Sequence, residues 1–333
     1  MSYLQSDIVT AQFFKNQAAK ANKDLIRLNA DLVTGRISNL AQRRDPLSAQ
    51  IQSIEKSLVT TSAFETVQLD ATLFLDRLQL NLNKISNITN QMSKSFLSGD
   101  AQNDPTYLSR AAKSAQENFN DIVAALNSNI AGRHLFSGQK TTIAPLPNGE
   151  SMLSALHADL SGAENLKDLE TLLDSWFDAP DGAFYNQIYK GAVSDLTSFQ
   201  ISQNSRLNVD ITAQDGRIRS LLKTTALAAL SDQTQLSTEE REQIISTAGA
   251  KLHAVNGSIV DAAADIGTLQ SRLEATKTDA AAQKMAINLH WNTLTSSDPY
   301  ETSASLKEAQ NHLTRLYVLT AELFELSFVD YMS

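Results

Sequence analysis

Histidine and cysteine are the side chains that most often bind metals or act as nucleophiles, and this chain uses them sparsely. Its five histidines are His134, His157, His253, His290 and His312. None lies three or four residues from another, so the ligand pair that an HExxH zinc helix needs is missing. The chain has no cysteine, which excludes disulfides, thiolate ligands and thiol nucleophiles. The sequence therefore predicts surface or helix-flank histidines and no metal site.

Glycine motifs for phosphate binding or for a nucleophile are also missing. The nearest candidate is Ala131-Gly-Arg-His-Leu-Phe-Ser-Gly138, which lacks both the Lys-Ser/Thr ending of a phosphate-binding loop and a strand before it. No GxSxG nucleophile elbow occurs. Carboxylates such as Asp7, Asp24 and Asp31 are scattered along predicted helices, where solvation is the usual explanation. We therefore expect no enzyme and no cofactor.

Charge and hydropathy exclude two further classes of partner. The formal net charge is −9, and the densest basic spot is Arg43-Arg44. Nucleic acids and anionic membranes bind concentrated Lys and Arg, so we expect neither as a partner. No stretch approaches the ~18 apolar residues of a membrane-spanning helix. The first residues show no basic region followed by an apolar run, so export would need a route without a cleaved signal peptide.

The pattern of caps and apolar residues predicts long helices. Asp-Pro pairs at 45–46, 104–105 and 298–299 suit an N-cap followed by the first helical position. Ser237-Thr-Glu-Glu240 resembles a capping box, and Gly35 is a predicted helix stop. A heptad seam, interrupted by Thr and Gln, follows over about five heptads. It consists of Leu252, Val255, Ile259, Ala262, Ile266, Leu269, Leu273, Thr276, Ala280, Gln283 and Ile287.

The middle of the chain follows a different pattern. Two amphipathic helices are predicted there, at 152–160 and 164–177. Residues 198–202 and 206–211 alternate apolar and polar side chains, which predicts a β-hairpin. The predicted fold is mainly α: a long antiparallel helical bundle or coiled-coil rod from the N- and C-terminal arms, with a small α+β insert. We divide the chain into a terminal helix (1–45), N-terminal rod helices (46–140), the insert (141–212), C-terminal rod helices (213–297) and a second terminal helix (298–333).

Apolar side chains also concentrate at the two ends of the chain. Phe13 and Phe14 lie near its start, and Phe324, Phe328 and Tyr331 lie near its end. Chain ends usually fray unless they are docked. Two explanations remain open at this point: the ends pack within one monomer as an ordinary bundle, or they pack between subunits.

Three passages resemble the flagellin family, and most closely its hook–filament junction members. Leu28-Asn-Ala-Asp-Leu-Val-Thr-Gly-Arg-Ile-Ser38 is similar to the family's N-terminal helix and its glycine turn, although Arg44-Asp45-Pro46 departs from the usual Asp-Asp-Pro or Asp-Asp-Ala. Ala125-Leu-Asn-Ser-Asn-Ile-Ala-Gly-Arg-His-Leu-Phe-Ser-Gly138 is similar to the most specific motif, which separates junction proteins from ordinary flagellin. The third passage, Asp298–Leu306 continuing through Leu313–Tyr331, resembles the junction proteins' last helix.

This resemblance covers residues 1–140 and 210–333, and it implies a function. The chain would be a structural flagellar subunit, exported by the flagellar type III route, that self-assembles into a ring between hook and filament. Implied partners are further copies, the other hook-associated junction protein, flagellin and an export chaperone. The expected interface lies on the terminal helices, at Ile8, Leu25, Leu28, Leu32, Leu313, Leu316, Leu319, Leu323, Leu326 and Phe328. The alternatives are flagellin itself and, with less support from the three passages, a type III-secreted helical translocator or adhesin.

Overall fold

The computed structural model describes the backbone of residues 2–38, 46–98, 104–193, 197–233 and 235–332. Side chains are described in the same ranges except at 2–8, 11, 46–47 and 323–332. The helices are α1 (Ser2–Thr34), α2 (Pro46–Ser98), α3 (Pro105–Leu126), α4 (Gly149–Leu160), α5 (Leu166–Asp178), α6 (Gly216–Leu230), α7 (Thr238–Thr295) and α8 (Pro299–Met332). The strands are β1 (Asn129–Ile130), β2 (Arg133–His134), β3 (Thr197–Ser202) and β4 (Ser205–Val209). The mainly α fold with a hairpin-containing insert is confirmed.

Helices α2, α3 and α8 begin at the prolines of the three Asp-Pro pairs, as predicted. The Asp104 carboxylate accepts the backbone N–H of Thr106 at 2.9 Å, and this hydrogen bond lowers the pKa of Asp104. Asp298 accepts the N–H of Tyr300 at 2.8 Å in the same way. These starts are local features, because the cap and the proline satisfy or remove N–H groups that no helix can satisfy internally.

The predicted capping box at the start of α7 also ties this helix to α5. Glu240 Oε2 accepts the backbone N–H of Ser237 at 2.9 Å, and the Glu240 N–H donates to Ser237 Oγ at 3.2 Å. The second carboxylate oxygen, Oε1, accepts the N–H of Leu166 at 3.2 Å, at the first residue of α5. One carboxylate therefore satisfies free N–H groups at two helix starts.

Strands β3 and β4 form the predicted antiparallel hairpin. Their inward residues Phe199, Ile201, Leu207 and Val209 are buried. The turn contains two residues, Gln203 and Asn204, because Ser205 belongs to β4. The register of the hairpin shifts between Gln200 and Ser202. The side chain of Gln68 on α2 donates to the carbonyl of Ile201 at 2.8 Å, which anchors the hairpin through a buried polar contact.

The chain divides into two compact units. The terminal unit comprises Met1–Ser62 with Ala281–Ser333, and the central unit comprises Ala63–Ala280. The large buried core lies in the central unit, where Phe74, Phe119, Phe136, Phe177 and Phe184 are fully buried. Helix α3 packs on α6, which also contacts α4 and α5.

Within the central unit, the heptad seam of α7 is covered along much of its length. Leu252, Ile259, Ala262, Ile266 and Leu273 are buried. Polar contacts join α7 to α2 beside this seam: Ser86 Oγ donates to Asn256 Oδ1 at 2.8 Å, and Ser93 Oγ donates to the Gly249 carbonyl at 2.8 Å. The seam stays partly exposed beyond Leu273, where Thr and Gln replace apolar residues.

Replacing Glu240 by glutamine should remove a pH-dependent part of the stability of the central unit. Its hydrogen bond from the Ser237 N–H lowers the pKa of Glu240 below the ordinary value of 4.5. A lowered folded-state pKa means that this stabilisation is complete above the unfolded-state pKa and is lost as the pH falls through the folded-state value. Thermal unfolding between neutral pH and about pH 3 measures the difference.

We expect Glu240→Gln to be less stable than the wild type at neutral pH and to approach it in acid. The control is Glu239→Gln, a neighbouring exposed glutamate of the same helical turn, which should unfold like the wild type at every pH. Parallel stability curves for the Glu240 variant and the wild type would contradict this assignment.

Candidate assembly interface

A short backbone bridge joins the end of α1 to the turn between α7 and α8. The Ile37 N–H donates to the Thr295 carbonyl at 2.9 Å, and the Ser297 N–H donates to the Gly35 carbonyl at 3.0 Å. Arg36 and Ser296 form the isolated antiparallel bridge between them. We call residues 35–37 and 295–297 the terminal clasp. It joins the first resemblance passage to the residues that directly precede the third.

The clasp depends on two local features of the first passage. Gly35 has φ +65°, in the left-handed region that ends helices and favours glycine. Asp31 accepts the N–H of Ser38 at 2.6 Å and lies 3.4 Å from Arg27. Asp31 is buried, so its sequence-based assignment to a solvated helix face was wrong. Its carboxylate holds the chain that follows Gly35 against the last turn of α1.

From the clasp, α8 runs back along α1, and the two helices pack together as an antiparallel pair. Of the predicted interface residues, Leu316 is 6% exposed, whereas Leu319 is 45% exposed. Leu25, Leu28, Leu32 and Leu313 are half-buried. These leucines lie in the terminal unit. The covered part of their surface packs against residues of the same copy. The side chains of Ile8, Leu323, Leu326 and Phe328 lie outside the described residues.

The terminal unit buries little of its apolar surface. Among its described side chains, the buried apolar residues are Ala21, Ile51 and Leu316. Its large exposed apolar residues are Val9, Phe13, Ile26, Val33, Val59, Met285, Leu289, Tyr300, Tyr317, Val318 and Leu319. In the central unit, by contrast, most of the large apolar side chains are buried. The sequence indicated Phe13 and Leu319 but not the other members of this exposed set, which only burial in the folded unit distinguishes.

Residues 316–319 of α8 show this exposure of apolar side chains most clearly. Successive helix residues point about 100° apart, so Leu316, Tyr317, Val318 and Leu319 cover nearly the whole circumference of the helix. Helix α1 covers one side, and the remaining three side chains are about half exposed or more. A helix that is apolar all round is normally buried on all sides. One copy supplies only part of that cover.

The second resemblance passage lies in the central unit and has a structural role. Ala131 and Gly132 both have positive φ and form the turn between β1 and β2. The guanidinium of Arg133 lies 5.8 Å from the ring centroid of Phe74 and 5.7 Å from that of Phe199. Its Nη1 also pairs with Asp70 at 2.6 Å. Arg133 thus joins the passage to α2 and to the hairpin.

The backbone carbonyls that follow Arg133 extend this connection. Phe136 accepts the N–H of Ala213, Ser137 accepts the N–H of Ala192, each at 2.9 Å, and Gly138 accepts Thr197 Oγ1 at 3.0 Å. His134 Nδ1 lies 2.8 Å from the Asn127 carbonyl. These polar atoms are occupied by structural hydrogen bonds.

The described residues hold no group of three or more metal-binding side chains. The cleft between α5, α6 and α7 has a volume of about 370 Å³. Its charges are already paired, because Lys223 donates to Asp174 at 2.7 Å and Lys251 donates to Glu170 at 3.2 Å. In the described part of the chain, every helix is too short or too polar to cross a membrane.

Comparison with known proteins identifies the fold. No protein-family model matches the chain, and no curated protein matches it. A structure assigned as a flagellar hook-associated protein from Vibrio parahaemolyticus superposes with a TM-score of 0.53 and 13% identity, covering 75% of this chain and 98% of that chain. FlgL from Bacillus cereus superposes with a TM-score of 0.52 and 12% identity, covering 72% and 99%. The chain therefore has the fold of flagellar hook-associated proteins.

Substituting Gly35 by alanine should weaken the terminal clasp. A Cβ at Gly35 meets no atom within 4 Å, so the cost comes from the positive φ alone, about 1–2 kcal/mol. Hydrogen exchange should show lower protection of α1 and α8 in Gly35→Ala, with the core of the central unit unchanged.

The matched control is Gly257→Ala, where a Cβ also meets no atom within 4 Å but the backbone is that of a helix interior. This substitution should stabilise the chain by about 0.5–1 kcal/mol, because alanine loses less backbone freedom than glycine. If the two substitutions shift stability in the same direction, the clasp does not depend on the conformation of Gly35.

Proposed function

We propose that this chain is a structural subunit of the bacterial flagellum that forms the junction ring between hook and filament. It acts by self-assembly through its terminal helices and not by catalysis. The observation that carries the proposal is the set of large apolar side chains on α1 and α8 that a single copy leaves exposed. Large exposed apolar side chains that lie together usually mark interaction sites, because soluble monomers rarely expose extended apolar surface.

The fold supports a flagellar role for this surface. The two superposed structures are a flagellar hook-associated protein and FlgL, and nearly the whole of each is covered by this chain. The three resemblance passages favour the junction member over filament flagellin, since the Ala125–Gly138 passage separates the two. In this proposal, residues 1–45 and 298–333 assemble, 46–140 and 213–297 form the rod, and 141–212 form the variable insert.

The proposed partners follow from the position of a junction ring. Further copies cover the terminal helices, the other hook-associated junction protein lies on the hook side, and flagellin lies on the filament side. Export by the type III route, with a chaperone holding the C-terminal region, places the chain outside the cell. Closed rings need head-to-tail contacts between different surfaces of each copy, which suits a helix pair with apolar residues on several sides.

Immunogold electron microscopy on sheared flagella tests the location. An antibody against residues 141–200 should give one spot at the hook–filament boundary. Label along the whole filament would instead identify a flagellin. The absence of label on the organelle would reject the flagellar assignment and favour a secreted translocator or adhesin.

Replacing Leu319 by aspartate should block assembly without unfolding the central unit. A leucine covered by a neighbouring copy contributes roughly 1.5–3 kcal/mol, so incorporation into flagella should fall about tenfold or more. The readout is the amount of the chain in sheared flagella, with motility as a second measure. The control is Leu172→Asp, an exposed leucine on α5 in the central unit, which should incorporate normally. Normal incorporation of the Leu319 variant would reject this face as the interface.

A further inference from the structure

Helix α1 presents exposed positive charges. Lys15, Lys20 and Lys23 are exposed, and none of them forms an ion pair within the described residues. The two carboxylates of α1 with described side chains, Asp24 and Asp31, both lie 3.4 Å from Arg27. Among the described side chains, the lysines of α1 therefore have no carboxylate partner in one copy.

Helix α8 presents the opposite charge. It carries five carboxylates against one lysine and one arginine. Glu301, Glu308 and Glu322 are exposed, and no ion pair to them occurs among the described side chains. Contact between unlike helices of two copies would bring opposite charges together, whereas contact between two α8 helices would bring carboxylates together. Charge patterns of this kind select partner surfaces and suppress wrong ones.

Positions along α1 and α8 can be compared by their distance along each helix from the terminal clasp, which we call their height. Lys23 lies 12 residues before Gly35 and Glu308 lies 11 residues after Ser297, so both stand roughly 17 Å from the clasp. Phe13 and Leu319 are each 22 residues from the same two positions, or roughly 33 Å. The charged residues are therefore level with each other, and so are the exposed apolar residues.

We propose that α1 of one copy binds α8 of a second copy at the same height, with Lys23 against Glu308 and Phe13 against Leu319. This contact rests on the proposed self-assembly and specifies its partner surfaces. Level pairing places the two copies side by side without a shift along the helices. Opposite charges set which helix meets which, and burial of Phe13 and Leu319 supplies the apolar part of the contact.

The chain contains no native cysteine, so single introduced cysteines report contacts without interference. Lys23→Cys and Glu308→Cys copies, one of them tagged, are co-expressed in a strain that lacks the native chain. Flagella are treated with a short bismaleimide cross-linker. Because each copy carries one cysteine, every cross-link joins two copies. The control replaces Glu308→Cys by Lys307→Cys, an exposed neighbour that points about 100° away on the same helix.

We expect the Lys23/Glu308 mixture to give at least about fivefold more cross-linked heterodimer than the Lys23/Lys307 mixture. A second measurement tests the charges. Lys23→Glu and Glu308→Lys should each reduce incorporation when expressed alone, and co-expression of the two variants should restore it, because each reversed charge then meets its opposite. The defect of either single variant should also be smaller at high salt, where exposed charges are screened.

Equal cross-linking in both mixtures, or dominant Lys23–Lys23 homodimers, would overturn the pairing. If immunogold label still marks the hook–filament boundary in that case, the proposed function stands and only the pairing fails. If cross-links are absent and the label is absent as well, both are rejected. Full incorporation of each charge-reversed variant on its own would also overturn the role of Lys23 and Glu308.

Discussion

The register between α1 and α8 is fixed by two backbone hydrogen bonds at the terminal clasp, and the properties of the terminal unit follow from that register. Because Ile37 and Gly35 bond to Thr295 and Ser297, each position along α1 has a defined level on α8. This decides that Leu316 is buried while Leu319 remains exposed. A shift of α8 by one residue would turn its side chains by about 100° relative to α1 and exchange covered for uncovered side chains. Gly35 and Asp31 hold this register through conformation and hydrogen bonding, with little help from apolar packing.

The two units differ in how much of their apolar surface they bury. The central unit buries a continuous core and fastens its hairpin to α2 through Gln68 and Arg133. Among the side chains described in the terminal unit, few apolar ones are buried and many are exposed. Apolar burial is the dominant favourable contribution to folding, so a single copy of the terminal unit has less of this stabilisation than the central unit. The central unit can therefore stay folded whether or not the ends are engaged.

The parts of this structure that sequence predicted are those that local chemistry decides. Helix starts at Pro105 and Pro299 depend on an adjacent Asp, and the alternation of 198–202 depends on the two-residue period of a strand. The burial of Asp31, the position of Arg133 over two rings and the β1–β2 turn were not predicted. Arg133 depends on Phe199, far away in the chain, and the β1–β2 turn depends on positive φ angles. Asp31 bonds to Ser38, where the chain turns back after Gly35. The candidate interface was predicted as a row of leucines on the terminal helices together with Ile8 and Phe328. The exposed set beside it could not be separated from that row, because periodicity identifies apolar faces but not which of them a neighbour covers.

The distances along the chain that these contacts span also set an order of folding. Gln68 and Ile201 are 133 residues apart, and Arg36 and Asn292, at the clasp, are 256 residues apart. Loop-closure entropy opposes such distant pairings until intervening structure shortens the effective loop. The central unit, with its large core, must form first for the clasp to close at low entropic cost. The chain thus folds from its middle outwards, and the helices at its two ends are the last segments to find each other.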